Sequence, residues 1–497
     1  MPATLHLTGG VRLRDALPGC QFHGNRNLKI TSCCSDPRQV REGDLFIALC
    51  GDDFDGHDYV YEAIDRGAAA VVAERMLPVQ VPLCLVEDTR QAYGEICQSL
   101  VDHPTREMTT IGVTGTHGKT TVVKLLASVL RAAGQRVGVM NSLDCSDGVV
   151  AYDQPRPTSP TEMAHWLAEM QAAGCTHAVV EIDSQDLAKR RTGGLELDIA
   201  VLTNLRRESA AAHNTAENSR AATQRIFTQL KGGGVAVVNG DDRGSRSLLA
   251  ELDCPTLTAA LNADAEVGAT IVERFTSEQT VLLTAGDEMI PLRTHMIGET
   301  HISNCLLVAA AALAMGIDLP TIVRGLEAVE AIPQRMERIE CGQPFGVFLD
   351  TADTPDRIAA CLSALRKVRT GRVICVANAD CSEHKMRPLI GRVLEKYADI
   401  GLTTTSGIGG ERSLNAIHDV IDGYDRHAKA HAMPDREQAI AWAISQAREG
   451  DCVLITGCPD FASSNTVRKT EAQQVRELLR VEQADEIEQL IMRIQSS

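Results

Sequence analysis

The 497-residue sequence predicts an α/β protein of three domains built around parallel sheets, and three observations lead there. The length exceeds what one ordinary core supports, because chains of this size divide rather than enlarge a single core. From Thr109 onward, short apolar strand runs alternate with helical stretches, the rhythm of a parallel sheet covered on both faces. After Ile332-Pro333 the rhythm restarts, which marks a further layered unit.

Residues 1–105 form the first expected domain. Within it, residues 44–49 read as a strand, 59–66 as a helix stopped by Gly67, and 68–73 as a buried strand. A seam at His103-Pro104-Thr105 opens the second domain, residues 106–332. That domain starts with a strand at 109–113, a glycine loop, and a helix from about Lys119. Val122, Leu126, Val129 and Leu130 share one face of this helix, and Gly134 ends it. Strands are expected at 178–181, 199–203 and 235–239. The third domain, residues 333–497, has strands at 347–350, 373–377, 400–404 and 453–456, a smaller Rossmann-like layer. From Glu471 the tail is helical. Its apolar stripes, Val475, Leu478 and Leu479, then Ile487, Leu490, Ile491 and Ile494, are expected to pack on the parent domain.

The formal net charge is −17 and aromatics make up 3%, which argues against nucleic acid and anionic membrane as partners. Sixteen cysteines are scattered without a single C-x-x-C pair, and most lie in apolar runs such as Val373-Ile374-Cys375-Val376. They read as small buried hydrophobes in a reducing compartment. The N-terminus lacks the basic-then-apolar pattern of a signal peptide. The apolar stretch at 306–317 is too short to span a bilayer and reads as a buried helix. A cytoplasmic monomer without membrane insertion is expected.

The run Gly112, Gly115-Thr116-His117-Gly118-Lys119-Thr120-Thr121 falls between strand and helix, where a phosphate cradle belongs. Glycines let backbone N–H groups turn inward, and a helix N-terminus adds positive potential. Lys119 would reach the β- and γ-phosphates, and Thr120 would offer its hydroxyl to Mg²⁺. The first glycine of the general pattern sits one position early, at 112.

With that extra residue the loop resembles the one in the Mur ligases and the related folylpolyglutamate synthetases, and the resemblance extends over most of the chain. Asp36-Pro37-Arg38, Gly43-Asp44 and Asp55-Gly56-His57 look like the MurE region that holds the uridine nucleotide of UDP-MurNAc. Thr158-Ser159-Pro160, Glu181, Ser184, Arg191, Thr203-Asn204-Leu205, Asn239, Asp241-Asp242, Asn304, Arg335-Met336-Glu337 and Asp350 follow in family order. The resemblance implies a three-domain Mur ligase architecture, with a central P-loop parallel-sheet ATPase domain and a Rossmann-like C-terminal domain. It implies ATP and Mg²⁺ as cofactors, and a UDP-MurNAc-peptide and an amino acid as substrates. Lys119 and Glu181 would be catalytic, with Thr120 and Glu181 on the metal. Asn304 would contact adenine, Arg335 the phosphates and Asp350 the ribose. Asp36, Arg38, Asp55, His57, Thr158, Ser159, Ser184 and Arg191 would grip the UDP-MurNAc-peptide.

The sequence also departs from the family pattern, mostly at chemical positions. The segment after Asn204 reads Glu208-Ser209, with Ser209 for the metal-side histidine and Ala211 for an aspartate. Thr223 stands where the family presents a carbamylated lysine, so no carbamate for a second Mg²⁺ can form. The strand-end Ser-Ser-His is Asp183-Ser184-Gln185. Thr351 and Asp353 replace a tyrosine and a histidine. The diaminopimelate motif Asp-Asn-Pro-Arg is Ser406-Gly407-Ile408-Gly409, and the late Gly-Lys-Gly-His-Glu is reduced to Gly457-Cys458-Pro459-Asp460. Two readings stay open on these residues: an ATP-dependent amide ligase of the MurE type, or a nucleotide-binding regulatory module without ligation. Thr223 is expected to face the cleft of Lys119 and Glu181, with one acidic ligand cluster there.

Overall fold

A computed structural model describes residues 10–51, 54–205, 216–380, 382–405, 411–457 and 470–481. The chain divides into two units, Met1–Glu266 with Leu307–Ile322, and Val267–Leu306 with Val323–Ser497.

Unit one contains a five-stranded sheet in the order Gln21–His23, Leu83–Leu85, Ala70–Ala73, Leu45–Ile47, Cys33–Cys34. All pairs are parallel except the antiparallel edge strand Gln21–His23. Leu45, Phe46, Ile47 and Ala70 through Ala73 are buried, because both faces are covered; such strands read as unbroken apolar runs. One face packs on helix Thr89–Leu100 through Ala92, Ile96 and Leu100. The helix expected at 59–66 is a 3₁₀ turn, Gly56–Tyr59, running into an α-helix, Val60–Asp65, and Gly67 follows at φ +105°.

The second sheet of unit one carries six parallel strands in the order Val137–Met140, His177–Glu181, Thr109–Thr114, Leu197–Leu202, Leu230–Asn239, Thr256–Ala260. Two short antiparallel strands, Cys145–Ser146 and Ala151–Tyr152, extend its other edge and were not expected. Thr109–Thr114 lies between His177–Glu181 and Leu197–Leu202, with Val113 opposite Glu181 and Thr114 opposite Leu202. The carboxyl ends of three strands therefore open on one crevice, where ligands of such sheets bind. Helix Lys119–Ala132 buries Val122, Leu126, Val129 and Leu130 as the periodicity requires.

Unit two opens with an antiparallel meander, Val267–Arg274, Gln279–Ala285 and Glu288–Thr294, which was not foreseen. Gly286-Asp287 between two alternating runs was its signal, with Gly286 at φ +58°. A six-stranded sheet follows in the order Glu337–Arg338, Gly346–Asp350, Cys452–Thr456, Val373–Asn378, Ile400–Thr405, Ala430–Asp435. It is parallel apart from its first strand. Residues 471–481 are helical, and Val475 and Leu479 enter this domain's core beside Ile339 and Val347. The second tail stripe lies outside the described residues.

The apolar stretch expected as a buried helix at 306–317 lies in Glu299–Ala314 as far as residue 314, with residues 306–312 buried. No described helix is long and apolar enough to cross a membrane. The described cysteines are free thiols, most of them buried.

Candidate functional site

The loop after Thr109–Thr114 is shaped by its neighbours. Gly115 sits at φ +133°, and a Cβ there would fall 2.2 Å from Thr203 Oγ1 and 2.8 Å from the Asn204 carbonyl oxygen. Only glycine fits. The Thr116 N–H donates to the Asn204 carbonyl at 3.0 Å, and the His117 N–H to Asn204 Oδ1 at 3.0 Å. In return, Thr203 Oγ1 and Asn204 Nδ2 donate to the His117 carbonyl at 2.6 and 2.8 Å. Asn239 Nδ2 supports them by donating to the Thr203 carbonyl at 2.8 Å. Asp242 accepts from the Leu205 N–H at 2.9 Å, and Asp241 from the N–H groups of Leu261, Asn262 and Ala263. These motif residues are the frame of the loop. Gly118, at φ +88°, starts helix Lys119–Ala132, leaving its first N–H groups directed at the crevice.

Lys119, Thr120 and Glu181 come together, as expected. Thr120 Oγ1 donates to Glu181 Oε2 at 2.9 Å and contacts Ser142 Oγ at 2.9 Å, while the Ser142 N–H donates to the same Glu181 oxygen at 3.1 Å. Ser142 was missed; it lies past an apolar strand, with no motif around it. Thr121 is buried in the first helical turn.

Lys119 Nζ donates to the Gly115 carbonyl at 3.0 Å and pairs with Asp183 Oδ1 at 3.0 Å. Asp183 also pairs with Arg156 Nη2, and Arg156 Nη1 reaches Asp186 Oδ2 at 2.5 Å. Arg191 Nη1 closes the series on Asp186 Oδ1 at 3.1 Å. Five charges thus alternate from the loop to Arg191. Burial would raise the Asp183 carboxyl, but the charges of Lys119 and Arg156 outweigh it and hold that group well below the usual carboxylate range. Burial likewise disfavours charge on Arg156, and Asp183, Asp186 and Glu181 more than offset it. One acidic cluster was expected in this crevice. Asp183 joins Glu181 in it as a second carboxylate, drawn in by Lys119 and Arg156.

Thr223 is buried on helix Ala216–Gln224, which packs on the short helix Ser184–Ala188. Arg225 donates to the Leu187 and Ala188 carbonyls at 3.2 and 3.0 Å, closing that short helix. Glu208 and Ser209 lie outside the described residues, as do 406–409 and 458–460.

The residues expected to grip a UDP-MurNAc-peptide are mostly engaged with one another. Asp36 accepts from Arg38 Nε and Nη2 at 3.0 and 2.9 Å. Asp55 accepts from the His57 N–H at 2.9 Å and from Arg75 Nη1 at 2.7 Å. The His57 bond leads in pulling the Asp55 carboxyl down to about 2. His57 is buried. Its Nε2 accepts from the Glu74 N–H at 2.9 Å, so Nδ1, 2.6 Å from Asp55 Oδ1, carries the proton. Cys50, Asp55 and His57 stand close enough to hold a metal, but neither ring nitrogen has a lone pair to give.

Ser159 caps helix Pro160–Ala172, accepting from the Glu162 N–H at 3.2 Å and donating to Glu162 Oε2 at 2.9 Å. Thr158 is exposed and Ser184 buried. A cavity of about 280 Å³ lies between Leu49, Phe54, Arg90 and Tyr93 on one wall and Pro160, Lys189 and Arg191 on the other.

In unit two, Asn304 is buried on helix Glu299–Ala314. Asp350, at its strand's end, accepts from the Met336 N–H at 2.8 Å and the Ala352 N–H at 2.7 Å. Arg335 Nη1 donates to Thr351 Oγ1, and Arg357 Nη2 donates to the same hydroxyl at 2.8 Å. Arg357 also pairs with Asp353 at 3.0 Å.

A glycine loop opening a helix at the carboxyl edge of a parallel sheet defines a protein of the phosphate-loop α/β class. Family models match in the same order: the Mur ligase family catalytic domain at residues 29–100, the Mur ligase middle domain at 113–312, and the Mur ligase glutamate ligase domain at 334–458. UDP-N-acetylmuramoyl-L-alanyl-D-glutamate–2,6-diaminopimelate ligase of Geobacillus kaustophilus is 33% identical over 455 residues, 90% of this chain and 93% of that protein. The protein of the same name from Parabacteroides distasonis is 30% identical over 491 residues, 95% of this chain and 100% of its own length. A solved ligase of that name superposes with TM-score 0.70 at 24% identity, covering 95% of this chain and 99% of that one. MurF ligase from Thermotoga maritima, solved with ADP, gives TM-score 0.60 at 20% identity, covering 90% and 96%. The chain belongs to the Mur ligase family, and is with its relatives an enzyme of the ligase class.

Proposed function

We propose that the chain is an ATP-dependent acid–amino acid ligase of the MurE type, joining an amino acid to a UDP-MurNAc-peptide in peptidoglycan synthesis. The observation that carries this is the convergence of Lys119, Thr120 and Glu181 at the mouth of a rigid glycine loop. Reading the chain as domains 1–105, 106–332 and 333–497 is supported by the succession of sheets and of family matches. Free, mostly buried thiols suit a cytoplasmic setting.

On this reading the N–H groups at the start of helix Lys119–Ala132 hold the ATP phosphates, and Lys119 neutralises the β- and γ-oxygens. Thr120 and Glu181 supply hard oxygen donors 2.9 Å apart, a set that fits Mg²⁺. That ion, when bound, neutralises charge developing on the transferring phosphoryl group. Arg191 and Ser184 face the acyl substrate, whose carboxylate accepts the phosphoryl group before the amine attacks. One metal suffices in this assignment, since Thr223 offers no carbamate. The amino acid is one other than diaminopimelate, since Gly409 stands where the arginine for its distal carboxylate is expected.

The test is ADP release from ATP, Mg²⁺ and UDP-MurNAc-dipeptide with pooled amino acids, with the product's mass identifying the residue added. ADP release with a mass gain other than that of diaminopimelate is expected. No ADP release with any amino acid would leave the nucleotide-binding module as the reading.

A further inference from the structure

We infer that Asp183 is a resident counter-ion that competes with nucleotide phosphate for Lys119, held in place by Arg156. The inference rests on reading residues 115–121 as a phosphate loop. The ammonium of Lys119 lies 3.0 Å from Asp183 Oδ1, so a phosphate oxygen reaching that ammonium must replace one anion by another. Asp183 cannot simply swing away. Its second oxygen is paired with Arg156, whose side chain is only 8% exposed and whose other arm is committed to the buried Asp186 at 2.5 Å.

The backbone of Arg156 is fixed as well. Its N–H donates to the Asn141 carbonyl at 2.7 Å, and Pro155 and Pro157 flank it, restricting rotation on both sides. Arg156 is therefore a positioning residue. It presents the Asp183 carboxylate at the loop rather than following it.

The carboxylate is still half open to the crevice, with 41% of its side chain exposed, so the exchange needs no unfolding. When phosphate takes Lys119, Asp183 retains Arg156, but its negative charge remains beside the incoming phosphates. The consequence is a nucleotide site weaker than its loop geometry would allow. Two like-charged groups compete for one ammonium.

Equilibrium titration of ATP and ADP into the full chain tests this, for the unaltered protein, Asp183→Asn, Asp183→Glu and Lys119→Ala, each with Mg²⁺ and with chelator. Asp183→Asn should bind nucleotide about three- to tenfold more tightly in both conditions, after allowance for solvent screening of the pair. Asp183→Glu should return toward the parent affinity, and the gain should shrink at high salt. Should Asp183→Asn fail to fold, as judged by its melting transition, Asp183→Ser takes its place. Unchanged affinity overturns the inference. Weakening confined to Mg²⁺ would make Asp183 a metal ligand and overturns it equally. Parent-like affinity in Lys119→Ala would instead sink the phosphate-loop reading itself, so the two failures are distinguishable.

Discussion

The glycine loop at 115–118 and the turn that follows Glu181 meet across a single ion pair, yet they keep their residues for different reasons. In the loop, backbone geometry decides: Gly115 has no room for a side chain, Thr203 and Asn204 hold the loop's carbonyls and N–H groups, and Asn239 holds the Thr203 carbonyl. In the turn, side-chain charge decides: Asp183 and Asp186 are matched by Arg156 and Arg191. Unit two repeats the second pattern, with Thr351 and Asp353 serving Arg357. Among the described residues, the departures Asp183, Thr351 and Asp353 each engage an arginine. A set of compensated charges is what a re-purposed site requires, because a lone buried charge would be expelled.

The contrast breaks most sharply at Lys119. Lys119→Ala should weaken ATP binding by about a hundredfold or more, measured by titration calorimetry, with an unaltered melting transition. An affinity equal to that of the parent would place the phosphates elsewhere. Next comes Arg156→Ala, which strands the buried Asp186 with Arg191 alone. We expect a loss of about 3 kcal/mol in urea denaturation, and a smaller loss in a background carrying Asp186→Asn. Equal losses in both backgrounds would show that the pairing contributes little.

A solitary buried group sharpens the comparison further. His301 is buried beside Thr294 Oγ1, at 2.8 Å, and burial lowers it to about 4 from an ordinary 6.5. Between those values the unfolded chain binds the proton and the folded chain does not. Stability is then full above pH 6.5 and falls as pH drops toward 4, by about 2 kcal/mol at pH 5. Thermal melts across that window should slope accordingly, and His301→Gln should flatten them. The smallest effect is local: Ser159→Ala removes a helix cap and should cost about 1 kcal/mol, with nucleotide affinity unchanged.

Much of the fold was legible because parallel strands buried on both faces are continuous apolar runs, as at Val179, Val180, Ile455 and Val376. The meander at 267–294 was not, since its first and last strands are largely uncovered and only Gly286-Asp287 marked a turn. At the site, Lys119, Thr120 and Glu181 announced themselves by motif and register. Arg156 and Asp186 did not. A sequence displays residue types, but the partner that makes a buried arginine tolerable lies 30 positions away, on the short helix Ser184–Ala188. His57 was readable as part of a motif, whereas its burial and double hydrogen bonding depend on Glu74 and Asp55.

One further contact bears on the cavity beside Arg191. Gly94 on helix Thr89–Leu100 faces Gly193 so closely that a Cβ at Gly94 would fall 2.6 Å from the Gly193 carbonyl oxygen. A Cβ at Gly193 would fall 2.6 Å from the Gln91 carbonyl oxygen. That helix carries Arg90 and Tyr93 of one wall, and the facing turn follows Lys189 and Arg191 of the other. Two main chains in direct touch act as a gauge block for the space between the walls. Rotamer changes can re-line the cavity, but they cannot widen it; only a bulkier residue at 94 or 193 would force the walls apart.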